Sequence, residues 1–183
     1  MIPRIIQLKH IDSKIRNLVV SLGRIPGIET LSNCEGHVYG YGLLAMPVKS
    51  GWFHFSRNHE QHLKLVDRFG NYCADSNGLF NLEESKINSS IDWVINSVFG
   101  NFKAYEKETP KGTIFWDEWP KQEQELYLQK ARQTLSIMHQ GWNDMNRIVL
   151  DYIKQDLKKD PRTMPYRDPN DKKRFSSFRC CFH

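Results

Sequence analysis

The chain has 183 residues, 39% hydrophobic, 26% charged and 12% aromatic, an ordinary globular profile with enough length for one core. This excludes collagen-like, wholly disordered and membrane-spanning classes, since no apolar run approaches the roughly 18 residues of a spanning helix. The net charge of +5 resides at one end: residues 158–183 carry eight basic and three acidic side chains, and residues 1–157 are neutral.

These features predict one α+β (mixed α/β) domain over residues 1–157, a small sheet with packed helices, followed by a basic, proline-containing tail over 158–183. Four cysteines, two of them adjacent, do not form a disulfide framework in a chain of this length. With no apolar stretch of signal type near Met1, a reducing cytoplasm is the expected location, with no membrane partner.

In chain order, residues 4–8 read as a short strand. Asp12 suits a helix N-cap, and Ile15, Leu18, Val19 and Leu22 follow as one apolar stripe. Gly23 fits a left-handed stop, and Pro26-Gly27 turns the chain into a strand over 28–32. Strand, helix, strand is compatible with a parallel pair. The segment Asn33-Cys34-Glu35-Gly36-His37 reads as the loop that leaves this strand.

Residues 38–48, a turn at 49–51 and residues 52–55 read as a hairpin, with Gly40 and Gly42 marking a bulge or a close approach to another group. Asn58 and Gln61 have capping-box spacing for a helix over 59–69, closed by Gly70, with Leu65, Val66 and Phe69 inward. A short strand is expected at 79–82. Ser90 caps a predicted helix whose Ile91, Val94, Ile95, Val98, Phe99 and Phe102 recur with helical period. The charged stretch 104–111 reads as a loop, and 113–116 as a strand.

The most regular segment is the last. Leu128, Ala131, Leu135, Met138, Trp142, Met145, Val149 and Tyr152 form a heptad-spaced seam, predicting a long helix over about 120–158. Gly141 marks a candidate bend or break within it. The seam suits either the chain's own sheet or a homodimer contact. Intramolecular packing is favoured, because the preceding elements need a cover.

Chemistry concentrates at the strand end. Cys34, Glu35 and His37 are the catalytic candidates: a thiol that can attack or ligate, a proton-accepting carboxylate, and an imidazole titrating near neutrality. Gly36 permits a tight turn and close approach of a ligand. Ser32, Asn33, Gly36, Tyr39, Trp52 and His54 are the binding candidates, with Tyr39, Tyr41 and Trp52 offering stacking faces. One Cys-x-x-His pair supplies two ligands where structural zinc wants four, so no metal site is expected from spacing. His59 and His62, three residues apart, read as helix surface, and Cys180, Cys181 and His183 as a frayed end.

Residues 12–37, a helix, a Pro-Gly turn and Thr30-Leu31-Ser32-Asn33-Cys34-Glu35-Gly36-His37, resemble a segment of the tRNA wybutosine-synthesis methyltransferases of the third pathway step. That family carries Thr-x-Ser-Ser-Cys-Ser-Gly-Arg, followed by a strand with a tryptophan and a histidine. Here Gly51-Trp52-Phe53-His54-Phe55-Ser56 and His59 are loosely similar. Asn33 stands at the second family serine and His37 at the arginine. The resemblance covers about a quarter of the chain and implies an α/β domain handling S-adenosylmethionine and a modified base. The Ser-x-Cys-x-Gly-His loop is also similar to one in bacterial and phage proteins.

The chain has no phosphate loop, dinucleotide fingerprint, nucleophile elbow or His-Glu-x-x-His helix. The leading expectation is therefore a nucleotide- or nucleic-acid-binding protein that uses the Cys34–His37 loop, with the tail touching phosphate. The alternatives are an interaction protein working through its long helix, and a methyltransferase-like or metal-assisted enzyme. No particular cofactor follows from the residues.

Overall fold

The structure is a computed structural model that describes residues 11–39, 48–57, 62–87, 90–97 and 106–157. The predicted strand at 4–8, Gly40, Tyr41, Gly42, the Asn58/Gln61 cap, His59, and the tail with Cys180, Cys181 and His183 lie outside these residues.

The described elements run α1 (Arg16–Leu22), β1 (Ile28–Cys34), β2 (His37–Val38), β3 (Val48–Lys49), β4 (Trp52–Arg57), α2 (Leu63–Asp75), β5 (Phe80–Ile87), β6 (Ser90–Ser97), β7 (Glu106–Thr109), β8 (Gly112–Phe115) and α3 (Lys121–Tyr152). A 3-10 turn, Trp116–Glu118, precedes α3, and a π turn, Ile153–Leu157, follows it. The fold is α+β, as expected. Its main sheet has the order β1-β4-β6-β5, and every strand pairing among the described residues is antiparallel. No helix among these residues is long and apolar enough to cross a membrane.

One face of the sheet carries the core. The ladder sets Phe53 opposite Ile95 and Phe55 opposite Trp93, so these four share a face. Helices cover it: Phe55 meets Phe69 of α2 edge-on at 5.8 Å, and Phe80 meets Trp142 of α3 at 4.9 Å. The α1 stripe Ile15, Leu18, Val19 and Leu22 is buried in the same cluster, together with Leu65, Val66 and Phe69.

The seam of α3 packs within the chain. Leu128, Ala131, Met138, Trp142, Met145, Val149 and Tyr152 are buried, and Leu135 packs against the same core. Gly141 does not break the helix, which runs through it from Lys121 to Tyr152. It is buried at a close approach, and a Cβ there would collide with the Phe80 ring.

Several expectations need correction. Residues 90–97 are a strand, not a helix. Ile91, Val94 and Ile95 are β-branched, and β6 is paired on both sides by β4 and β5. A strand lying between two others can place apolar groups on both faces, which reproduces a helical i, i+3, i+4 pattern by coincidence. β5 extends to Ile87, well past residue 82, as an edge strand carrying Glu83 and Glu84. Residues 106–109 are strand and not loop, paired with β8 through a tight turn.

The 38–48/52–55 hairpin does not form as expected. Val48 and Lys49 pair with Val38 and His37, while β4 pairs with β1 and β6. Gly23 ends α1 in right-handed conformation, so it does not supply a left-handed stop. α2 starts at Leu63 and passes through Gly70 to Asp75. His62 is fully buried instead of exposed, bridging the Tyr152 hydroxyl at 3.0 Å and the Pro26 carbonyl at 2.8 Å.

Candidate functional site

The candidate turn is shorter than the sequence suggests, because Asn33 and Cys34 belong to β1 and only Glu35 and Gly36 separate it from β2. Gly36 is buried at φ +89°, a left-handed conformation that L side chains rarely adopt. Gly51 allows the chain to pass close by: a Cβ there would lie 2.8 Å from the Glu35 carbonyl and 2.9 Å from that of Cys34. Gly51 is itself held by Ser97, whose hydroxyl donates to the Gly51 carbonyl at 2.9 Å and accepts from its N–H at 2.6 Å.

Asp12 does not cap α1, whose first turn has no side-chain cap. Its carboxylate instead accepts from the Glu35 N–H at 3.1 Å and lies 3.4 Å from His37 Nε2. The Glu35 carboxylate reaches back to accept from the Lys14 N–H at 2.7 Å. The segment before α1 and the turn after β1 thus satisfy each other's backbone donors. From the far side, Trp142 of α3 donates its indole N–H to the Glu35 carbonyl at 3.2 Å.

Asp12, Cys34 and His37 converge, each offering one donor atom within 4.8 Å of the other two. Cys34 is buried, which pushes its thiol up to about 11; Asp12 and Glu35 add to the rise, and the Gly36 N–H and Lys49 oppose it. The thiol is therefore protonated near neutrality and is not a ready nucleophile. His139 adjoins the turn from α3 and hydrogen-bonds to the Glu35 backbone, while its Nε2 is buried with no partner among the described residues. Burial lowers its pKa, Lys14 and His37 lower it further, and Glu35 opposes them.

The other predicted residues divide between two faces of the sheet. Trp52 stands opposite Cys34 and His54 opposite Ser32, so one sheet face carries all four. His54 turns to Asp92, Nε2 to Oδ2 at 3.6 Å, and stays outside the Asp12–Cys34–His37 group. Asn33 is buried opposite Phe53 on the core side. Tyr39 sits beside His37 with ring centroids 5.9 Å apart, and Lys49 lies over Trp52 at 5.1 Å.

Sequence reasoning missed Asp12, Lys14 and His139 as site residues. Asp12 was masked by its suitability as a cap, and His139 lies a hundred residues from the turn it touches. Comparison with known families, curated proteins and solved structures yields no significant match, so the residues themselves carry the functional reading.

Proposed function

We propose that the chain binds a nucleotide, or a base of a nucleic acid, at the Cys34–His37 turn. One observation carries this reading: the strand registers set Lys49 opposite His37 and Trp52 opposite Cys34, with Tyr39 against His37. A cation, an imidazole and two partly exposed aromatic rings are thereby gathered around one turn. A base stacks on Trp52 or Tyr39, and phosphate meets Lys49. The resemblance to wybutosine methyltransferases extends the ligand class to a modified RNA base and to S-adenosylmethionine. A cytoplasmic setting belongs to the same reading, since Cys34 and Cys73 are free thiols.

Calorimetric titration with mononucleotides, S-adenosylmethionine, single-stranded oligonucleotides and tRNA tests the proposal. Loss of one stacked base is worth about 1–3 kcal/mol, so Trp52→Ala should weaken binding about 5- to 150-fold. A chain truncated before Asp160 separates the turn from the basic tail. Binding unchanged in Trp52→Ala and Lys49→Ala, or lost wholly with the tail, overturns the reading.

A second reading, an interaction protein or homodimer built on α3, has its own observation. Leu126 and Ile137, eleven residues apart on one side of the helix, are about half exposed. Sedimentation of the wild type and of Leu126→Lys/Ile137→Lys tests it, and a wild-type chain monomeric at all concentrations removes the homodimer.

A further inference from the structure

We propose that Asp12, Cys34 and His37 form a mononuclear site for a divalent transition metal of zinc type, with one coordination position left for an external ligand. The proposal rests on reading this turn as a ligand site, and it names the group through which a ligand is held.

Four observations support it. The first is donor chemistry. A thiolate, an imidazole and a carboxylate suit zinc, cobalt or iron(II), whereas magnesium and calcium take oxygen donors. The second is spacing. Nitrogen and oxygen ligands about 2.0–2.1 Å from a tetrahedral ion stand about 3.3–3.4 Å apart, and Asp12 Oδ2 lies 3.4 Å from His37 Nε2.

The third is charge. A carboxylate, a thiolate and a neutral imidazole balance a dication. Ligation replaces the Cys34 S–H bond by a Cys34–metal bond, so each ion bound releases that proton to solvent.

The fourth is the frame around the donors. The residue between the ligands, Glu35, is held at its N–H by Asp12, at its carboxylate by the Lys14 N–H and at its carbonyl by Trp142. These contacts fix the backbone from two parts of the chain, as outer partners do at metal sites. Cys34 lies inside, while the Asp12 and His37 side chains are 28% and 34% exposed. The exposed side of the group is therefore the side from which an external ligand would enter, and an anionic oxygen such as phosphate would complete the tetrahedron there.

The test uses the full chain, stripped with chelator and titrated with cobalt(II). One equivalent should produce a thiolate-to-cobalt charge-transfer band with tetrahedral visible bands, both erased by zinc. Cys34→Ser should abolish the charge-transfer band and Cys73→Ser should keep it, with circular dichroism confirming the fold of each. Asp12→Asn and His37→Asn should each weaken binding more than about 10-fold, since even outer partners are worth that much. If Asp12→Asn does not fold, His37→Asn decides.

Absence of a charge-transfer band at excess cobalt overturns the proposal. So does a band that persists in Cys34→Ser and vanishes in Cys180→Ser/Cys181→Ser. Nucleotide is titrated separately into metal-free and zinc-loaded chain, so metal binding and ligand binding can each fail alone.

Discussion

Trp142 donates its indole N–H to the Glu35 carbonyl at 3.2 Å, joining the middle of the long helix to a turn 107 residues away. The same ring is fully buried and meets Phe80 edge-on. One side chain therefore serves both the core and the candidate site. Trp142→Ala should cost about 3–5 kcal/mol of folding stability by opening a cavity. Trp142→Phe keeps most of the packing and loses mainly one hydrogen bond, about 1 kcal/mol. Urea unfolding separates the two, and a Trp142→Phe variant as stable as the wild type would mean the indole N–H contributes nothing.

Gly51 and Gly36 should be intolerant for different reasons. A Cβ at 51 meets backbone atoms of Cys34 and Glu35, which cannot rotate away. A Cβ at 36 meets the Gly51 backbone nitrogen at 3.1 Å, the movable end of Leu135 at 3.2 Å and the Lys49 carbonyl at 3.3 Å, and it demands φ +89°. Gly51→Ala should lose about 1–3 kcal/mol through overpacking, and Gly36→Ala about 1–3 kcal/mol through backbone strain. Leu135→Ala should ease part of the Gly36→Ala loss and leave the Gly51→Ala loss unchanged. Denaturant midpoints of the double variants check this.

Alkaline pH should weaken the fold in a defined window. Burial raises Cys73 from 9.0 to about 11, and burial followed by Asp144 raises Tyr72 from 10.0 to about 12. Both groups are neutral when protonated, so between the unfolded and folded values the folded chain holds more protons. Their contribution is complete below about pH 9 and is lost as pH rises through 11 and 12. Tyr72→Phe should flatten the upper part of that decline. An identical slope in wild type and Tyr72→Phe would contradict the assignment.

The acid side depends on His139. Burial lowers its folded pKa below 6.5, so the unfolded chain binds the extra proton. Its contribution is present above pH 6.5 and is lost as pH falls through the folded value. His139→Gln should reduce the loss of stability on acidification, measured as urea midpoints across that range. A steeper acid decline in the variant would show the opposite sign.

Local sequence alone determined the α1 stripe, the inward face of α2 and the whole α3 seam, because helical side-chain spacing is set within a few residues. It also marked the Cys34–His37 turn, since polar groups beside a glycine at a strand end are visible without a partner. Strand pairing was not local information. The pattern of Ile91, Val94 and Ile95 serves a helix or a strand lying between two others, and only β4 and β5 on either side of β6 decided between them. The same holds for the site. Asp12 reads as a cap until the fold brings it within hydrogen-bonding distance of the Glu35 N–H, and nothing in the local sequence links His139 to the turn that α3 brings it beside. Periodicity records which way a residue faces; which residue it meets there depends on chain crossings that only the assembled core specifies.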